Sequence, residues 1–358
     1  MTLPEIAEEL DAFSTEKKIP QYRSKQVFSR IKQGVRNFSE MTCLPKELIK
    51  KLENHSVIRG SKLSKKYFGN DGTIKLVLEL SDGVLIETVL LASYSGDNPK
   101  TATFKKHHYT ACLSTQAGCH MGCVFCKTGS MGFIRNLDPS EIVEQYLFLN
   151  DELQKKSKEN RISNVVVMGM GEPMLNLNAL RKALEILCDP AGFGLSKRKI
   201  TVSTAGIHDG IVDMTKNGPE TELAVSIASA REKLRERIMP GTAEYPLPRL
   251  KEALSLFQKK QKRQITIETV LLGEINTGPE DARALIDFCR NLDIVINIIP
   301  WNPVKELCFE GKKLRQPDPE EIKYFIRMLE EGGLTVTQRY RRGRGISGAC
   351  GQLVAKKN

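Results

Sequence analysis

Cys119-His120-Met121-Gly122-Cys123-Val124-Phe125-Cys126 follows closely on Thr110–Ser114, a short run with the composition of a strand. Its spacing is C-x3-C-x2-C. With 9 cysteines in the chain, random placement gives this spacing in roughly half a percent of such sequences, so the triad reads as a metal or redox site. Three thiolates hold three corners of an iron–sulfur cubane, which needs four ligands in all. A triad therefore leaves one iron open to a group from outside the protein. Structural zinc asks for a fourth Cys or His at a second spaced pair. His120 inside the loop, with His107 and His108 upstream, keeps zinc open as an alternative.

Outward from the loop, strands and helices alternate. Thr110–Ser114 is joined by strand candidates at Asn164–Met168, Ile200–Ser203, Leu223–Ile227, Ile265–Leu271 and Ile294–Ile299. Helix candidates at Pro139–Lys158, Leu177–Leu187, Pro248–Lys260 and Pro279–Leu292 lie between them, and Pro319–Glu330 precedes a last strand at Leu334–Gln338. Repeated β-α units predict an α/β fold whose parallel sheet has right-handed crossovers. Six principal strands are too few for an eight-stranded barrel, so an open or partial barrel is expected. Upstream, Thr73–Leu80 and Val84–Leu91 read as a β-hairpin through Ser81-Asp82-Gly83. The start reads as helical, from a capping pattern at Thr2-Leu3-Pro4-Glu5, through Val27, Phe28 and Ile31 at helical spacing, to a helix opening at Leu44-Pro45-Lys46-Glu47. This divides the chain into a helical accessory domain (1–70), a hairpin and linker (71–108, with a boundary near 92–108), a core (109–340) and a tail (341–358).

The 358 residues carry 54 Lys and Arg against 43 Asp and Glu, a net charge of +11. A basic excess of this size favours a polyanionic partner such as nucleic acid. Hydrophobic residues at 40% rule out a mostly disordered chain. MTLPEIAEELDAF has no basic flank before an apolar run, so no signal peptide is read. His107–Cys126, the longest stretch free of Asp, Glu, Lys and Arg, is too polar to span a bilayer. A cytoplasmic protein with reduced thiols and no membrane partner is expected.

Further motifs surround the triad. Met168-Gly169-Met170-Gly171-Glu172-Pro173 ends a Val-rich run, where small residues let a ligand approach the backbone. Ser203, Ser226 and Asn302 each follow an apolar strand, where barrel-type sites collect ligand contacts. Cys350 sits between glycines near the end of the chain, a poor place to bury a thiol, and Cys112 lies on the first core strand. Cys43, Cys188, Cys289 and Cys308 read as structural. Arg339, Arg341, Arg342 and Arg344 with Tyr340, and the lysines 62, 65, 66, 105 and 106, suit phosphate contact and base stacking.

Taken together, the triad, the GMGEP segment, Ile299-Pro300-Trp301-Asn302-Pro303 and the terminal Ala349-Cys350-Gly351-Gln352-Leu353 resemble the RlmN/Cfr family of radical S-adenosylmethionine RNA methyltransferases. The resemblance runs over nearly the whole chain, from Tyr22-Arg23-Ser24-Lys25-Gln26 onward. It implies a partial (β/α)6 barrel with its site at the carboxyl ends of the strands. It implies a [4Fe-4S] cluster on Cys119, Cys123 and Cys126, and S-adenosylmethionine contacted by Gly171, Glu172, Ser203, Ser226, Ile227, Ala228 and Asn302. Two cosubstrates are consumed: one methylates Cys350, and the other yields a 5′-deoxyadenosyl radical that takes hydrogen from the new S-methyl group. The sulfur-bound methylene then adds to an adenine carbon, giving a protein–RNA crosslink. The family's proton acceptor matches Glu87, which shares a strand face with Leu85, Val89 and Leu91, so burial is expected to raise its pKa. Cys112 then attacks Cys350, forming a transient disulfide and freeing the product.

The same resemblance implies carbon 2 of an adenine in 23S rRNA as the target, with adenine 37 of some tRNAs as a second. Pro173 and Pro300-Trp301 match the carbon-2 type. A carbon-8 enzyme of the Cfr kind, or a radical enzyme with a non-RNA substrate, is the alternative. A flavodoxin or ferredoxin as electron donor and a monomeric state are expected. The chain departs from the family at Ser226-Ile227-Ala228, where Ser-Leu-His is usual, and at Arg344-Gly345, where acidic residues are common.

Overall fold

The computed structural model describes residues 22–95, 103–190, 192–339 and 342–354. The capping pattern read at 2–5 lies outside them. Helices Tyr22–Lys32 and Lys46–His55 bury Val27, Ile31, Leu48 and Leu52 at helical spacing. A meander follows, in which β1 (Lys62–Phe68), β2 (Ile74–Glu79) and β3 (Leu85–Ser95) pair antiparallel. The hairpin turn forms as expected: Asp82 accepts from the Val84 amide at 3.0 Å, and Gly83 takes φ 79°. β1 has no counterpart in the sequence reading. Its KLSKKYF is largely exposed at the edge of the sheet, so it shows no apolar alternation, and its lysines discourage further strand pairing.

β4 (Thr103–Cys112) pairs antiparallel with β3 and parallel with a later strand, so it welds the meander to a parallel array. The described parts of 92–108 thus lie in paired strands. Ala92 pairs with Tyr109 and Ser95 with Thr103, and separating them would leave backbone groups of both strands without partners. A short hairpin of β5 (Gln116–Gly118) and β6 (Phe133–Asn136) brackets the cysteine loop. The array continues through β7 (Arg161–Val167), β8 (Ile200–Thr204), β9 (Glu222–Ser226), β10 (Ile265–Leu271) and β11 (Ile294–Pro300). A hairpin of β12 (Cys308–Phe309) and β13 (Lys312–Lys313) precedes β14 (Thr335–Gln338), which closes the array beside β11. The ten-stranded sheet has the order β1-β2-β3-β4-β7-β8-β9-β10-β11-β14.

The parallel strands follow chain order, so all their carboxyl ends lie along one rim. Helices cover each crossover. Pro139 and Pro319 open two of them behind capping boxes of Asp138 with Glu141 and Asp318 with Glu321. Helices His208–Asn217 and Glu232–Ile238 are absent from the sequence reading because each is short and mostly polar. Val165, Val202, Val225, Ile267 and Ile296 are fully buried along the array. Among the described residues, no helix is long and apolar enough to cross a membrane.

Candidate active site on the rim of the sheet

The triad lines a cavity of about 170 Å³ at the carboxyl ends of the strands. Its loop is held from several directions. Trp301 Nε1 donates to the Phe125 carbonyl at 2.8 Å, and the Cys119 amide donates to the Gly132 carbonyl at 2.9 Å. Burial pushes the Cys119 thiol up to about 12 and raises Cys126 as well. Cys123 is raised by burial and then by its two partners. Without a cation these thiols keep their protons, and metal binding is what would release them. Among the described residues, no three His, Cys, Asp or Glu side chains converge to hold a single metal ion. Three buried thiols facing one cavity fit a larger group with several irons.

The segment after β7 forms the next wall. A Cβ on Gly169 would meet Ser114 Oγ at 2.5 Å and the Leu113 carbonyl oxygen at 2.7 Å, so the backbone lies flat against β4's extension. Gly171 takes φ 105°, a conformation that favours glycine. The Glu172 carboxylate faces inward to the protein: it accepts from the Ala205 amide at 2.7 Å and the Met174 amide at 3.0 Å. Burial raises its pKa and these bonds work against that rise. What the segment offers the cavity is thus its backbone. Gly169→Ala is expected to cost about 2 kcal/mol of stability, because the methyl meets backbone that cannot yield. Denaturant melting would check this, and an unchanged midpoint would contradict it.

Gly171, Glu172, Ser203, Ser226 and Asn302 all line the triad's cavity. Asn302 Nδ2 donates to the Cys350 carbonyl at 3.0 Å, while its Oδ1 is buried with no protein partner. An orphaned acceptor beside two serines is a fit for a polar cosubstrate such as S-adenosylmethionine. Ile227 and Ala228 are buried and do not line this cavity. Ile227 N–H instead donates to the Glu268 carbonyl at 2.9 Å.

A second cavity, about 290 Å³, adjoins the first. Cys112, Arg339 and Arg342 line it, and Cys350 and Asn302 line both cavities. Cys350 thus stands in the wall between them. Cys112 is buried, which pushes its thiol up to about 12; Cys350 adds to the rise, and Arg339 opposes it. All nine cysteines are free. The tail is bound on the barrel side by Lys127 N–H to the Gly351 carbonyl and Thr128 Oγ1 to the Leu353 carbonyl, both at 2.8 Å.

One residue at this junction escaped the sequence reading, and another has a different role from the one read there. Glu268, at the centre of β10, accepts from Ser203 Oγ at 3.2 Å and from Arg339 at 2.9 Å, so it links the two cavities. A lone carboxylate inside ITIETVL was the available signal, the same one Glu87 gave. Arg339 was read as a phosphate contact; the structure turns it inward onto Glu268, because β14 pairs with β11 and aims it at the array. Glu87 is buried, and burial raises its pKa against the opposing charge of Lys75. It lines neither cavity. Of the other basic groups, Lys66 pairs with Glu152 at 3.3 Å and Lys62 and Lys65 are exposed on β1. Arg342 bonds the Ala92 carbonyl. Tyr340, Arg341 and the side chains at 105, 106 and 344 lie outside the described residues.

A cysteine triad at the head of a parallel array, with a largely apolar cavity carrying a few polar groups along the rim, defines a radical S-adenosylmethionine fold. The Radical SAM superfamily pattern matches residues 113–289. A protein of Treponema denticola is 44% identical over 346 residues, covering 97% of this chain and 93% of its own; its name is probable dual-specificity RNA methyltransferase RlmN. Its namesake from Treponema pallidum (strain Nichols) is 40% identical over 351 residues, covering 98% of this chain and 95% of its own. The crystal structure of a radical SAM methyltransferase from Sphaerobacter thermophilus superimposes with a TM-score of 0.87 at 33% identity, covering 99% of this chain and 98% of that one. The chain belongs to the RlmN family within the radical SAM superfamily.

Proposed function

We propose that this radical S-adenosylmethionine RNA methyltransferase acts on carbon 2 of an adenine in 23S rRNA, at the peptidyl-transferase centre, and on adenine 37 of some tRNAs. The observation that carries the reading is the position of Cys350 between a cavity lined by the triad and one lined by Cys112. Cys119, Cys123 and Cys126 would hold a [4Fe-4S] cluster, with Gly171, Glu172, Ser203, Ser226 and Asn302 along the cosubstrate. When bound, these groups supply one-electron chemistry that makes a carbon radical, which a poorly nucleophilic ring carbon requires. Cys350 accepts a methyl group on Sγ from one cosubstrate and carries it toward the base. Glu87 takes the ring proton. Once the carried carbon is bonded to the base as a methylene still attached to Cys350, the Cys112 thiolate attacks Cys350 Sγ: an S–S bond forms, and the electron pair of the breaking S–CH2 bond stays with the carbon, which takes a proton to become the methyl group of the product.

The target adenine must leave its stack to reach this rim. The helices before β1 and the exposed lysines of β1 are the parts of the chain that would hold the RNA. A small electron carrier of the flavodoxin or ferredoxin kind would reduce the cluster, and a single chain in the cytoplasm suffices for the reaction. The test is reconstitution under anaerobic conditions with rRNA fragments, followed by nucleoside mass spectrometry. 2-Methyladenosine is expected. 8-Methyladenosine would move the regiochemistry to the other ring carbon, and neither product would sink the proposal.

A further inference from the structure

Away from the cysteine loop, the meander contains a buried ion pair. Lys75 on β2 donates to Glu87 Oε1 on β3 at 2.9 Å, with side chains 6% and 3% exposed. Withdrawing two charges from water is costly, and a well-packed apolar pair would serve stability equally well. The remaining bonds of the pair are therefore informative. Lys75 Nζ also donates to the Ser347 carbonyl at 3.3 Å and stands 4.9 Å from the centre of the Tyr67 ring. Glu87 Oε2 accepts from the Val354 amide at 2.9 Å. Ser347 precedes Cys350, and Val354 follows it. Asp71, in the β1–β2 turn, adds a bond from the Gly343 amide at 2.7 Å. The meander thus grips the tail on both sides of the thiol, while Asn302, Lys127 and Thr128 grip it from the barrel.

We propose that Lys75 is a positioning residue: together with Glu87 it clamps the tail at Ser347 and Val354 and so sets Cys350 between the two cavities. The clamp stands on these bonds; its catalytic consequence rests on the reading of Cys350 as methyl carrier and Glu87 as proton acceptor. That consequence is an alternation. With the tail docked, both Glu87 oxygens are occupied. Release of Val354 would leave Oε2 with no protein donor and so more basic toward a substrate proton.

Hydrogen exchange of the full-length protein, read by mass spectrometry, tests the clamp. In Lys75→Met, exchange in tail peptides spanning 343–354 is expected to rise at least ~tenfold as their local opening becomes easier. That variant strands a buried carboxylate, so Lys75→Met/Glu87→Met, which removes both charges, is measured beside it with the same expectation. Tail exchange unchanged in the double variant, or a rise confined to β2 and β3, would overturn the proposal. Intact mass of the wild type with S-adenosylmethionine reports separately on whether Cys350 gains a methyl. A wild type that gains none defeats the carrier role, and the exchange data still decide the clamp.

Discussion

Cys350→Ala is expected to keep the visible absorbance of an iron–sulfur cluster and to form no methylated adenosine. The two halves of this expectation come from different parts of the geometry. The cluster half follows because Cys350 is remote in sequence from a loop that already supplies three buried thiols to one cavity. The tail should stay docked in the variant, since Asn302 bonds the Cys350 backbone carbonyl and Lys127 that of Gly351. Alanine leaves those bonds in place. The activity half follows because Cys350 is the only cysteine outside the triad that lines the triad's cavity among the described residues. Cys112 cannot stand in: it lines only the outer cavity, and burial pushes its thiol up to about 12. Losing a sole covalent carrier should lower product formation by ~10³-fold or more. Absorbance spectra and nucleoside mass spectrometry on one preparation decide the matter. If the absorbance vanished with the thiol, Cys350 would be a cluster ligand and its carrier role would fall.

How far the sequence could be read depended on the span of each interaction. The triad was legible because its three thiols lie within one turn-rich loop, and Gly169 and Gly171 because close backbone approach leaves a local mark. The core strands were legible as well: Ile265–Leu271 is continuous apolar alternation that the sheet covers on both sides. Interactions between distant segments left no such mark. Nothing near Arg339 announces Glu268 on another strand, so a basic cluster before the tail read as an RNA contact when its first member is spent on an internal ion pair. Lys75, inside the hairpin strand Thr73–Leu80, drew no reading of its own, although it meets Ser347 at the far end of the chain. The stretch 92–108 is the opposite case. Its Gly, Asn and Pro have the composition of a break between domains, yet the strands that end at Ser95 and begin at Thr103 pair with each other.

Cys112→Ala is expected to stall after the first encounter with RNA, leaving a covalent protein–RNA adduct. Release from Cys350 needs a second thiol that can reach its sulfur. Cys112 lines the outer cavity together with Cys350, and each thiol's charge is felt by Arg339. The guanidinium is fixed by Glu268 at 2.9 Å and opposes, without overcoming, the burial that pushes the Cys112 thiol up to about 12. The thiolate is the attacking form, so Cys112 has to give up its proton as it attacks, and Arg339 is the cation beside the charge that then develops. No other cysteine can replace it: Cys119, Cys123 and Cys126 are assigned to the cluster, and Cys43, Cys188, Cys289 and Cys308 line neither cavity. With alanine at 112, methylene transfer to the base still proceeds, but the S–C bond to Cys350 has nothing to break it. In thiol-free buffer the variant should therefore give a species that resists heat and detergent, shifts on a denaturing gel and collapses on nuclease treatment. Free methylated RNA should fall at least ~10³-fold below the single round that the wild type completes before its disulfide forms, because in the variant the RNA stays attached to Cys350. Repeated turnover by this variant without any adduct would show that another group releases the product, and the pairing of Cys112 with Cys350 would have no part in the reaction.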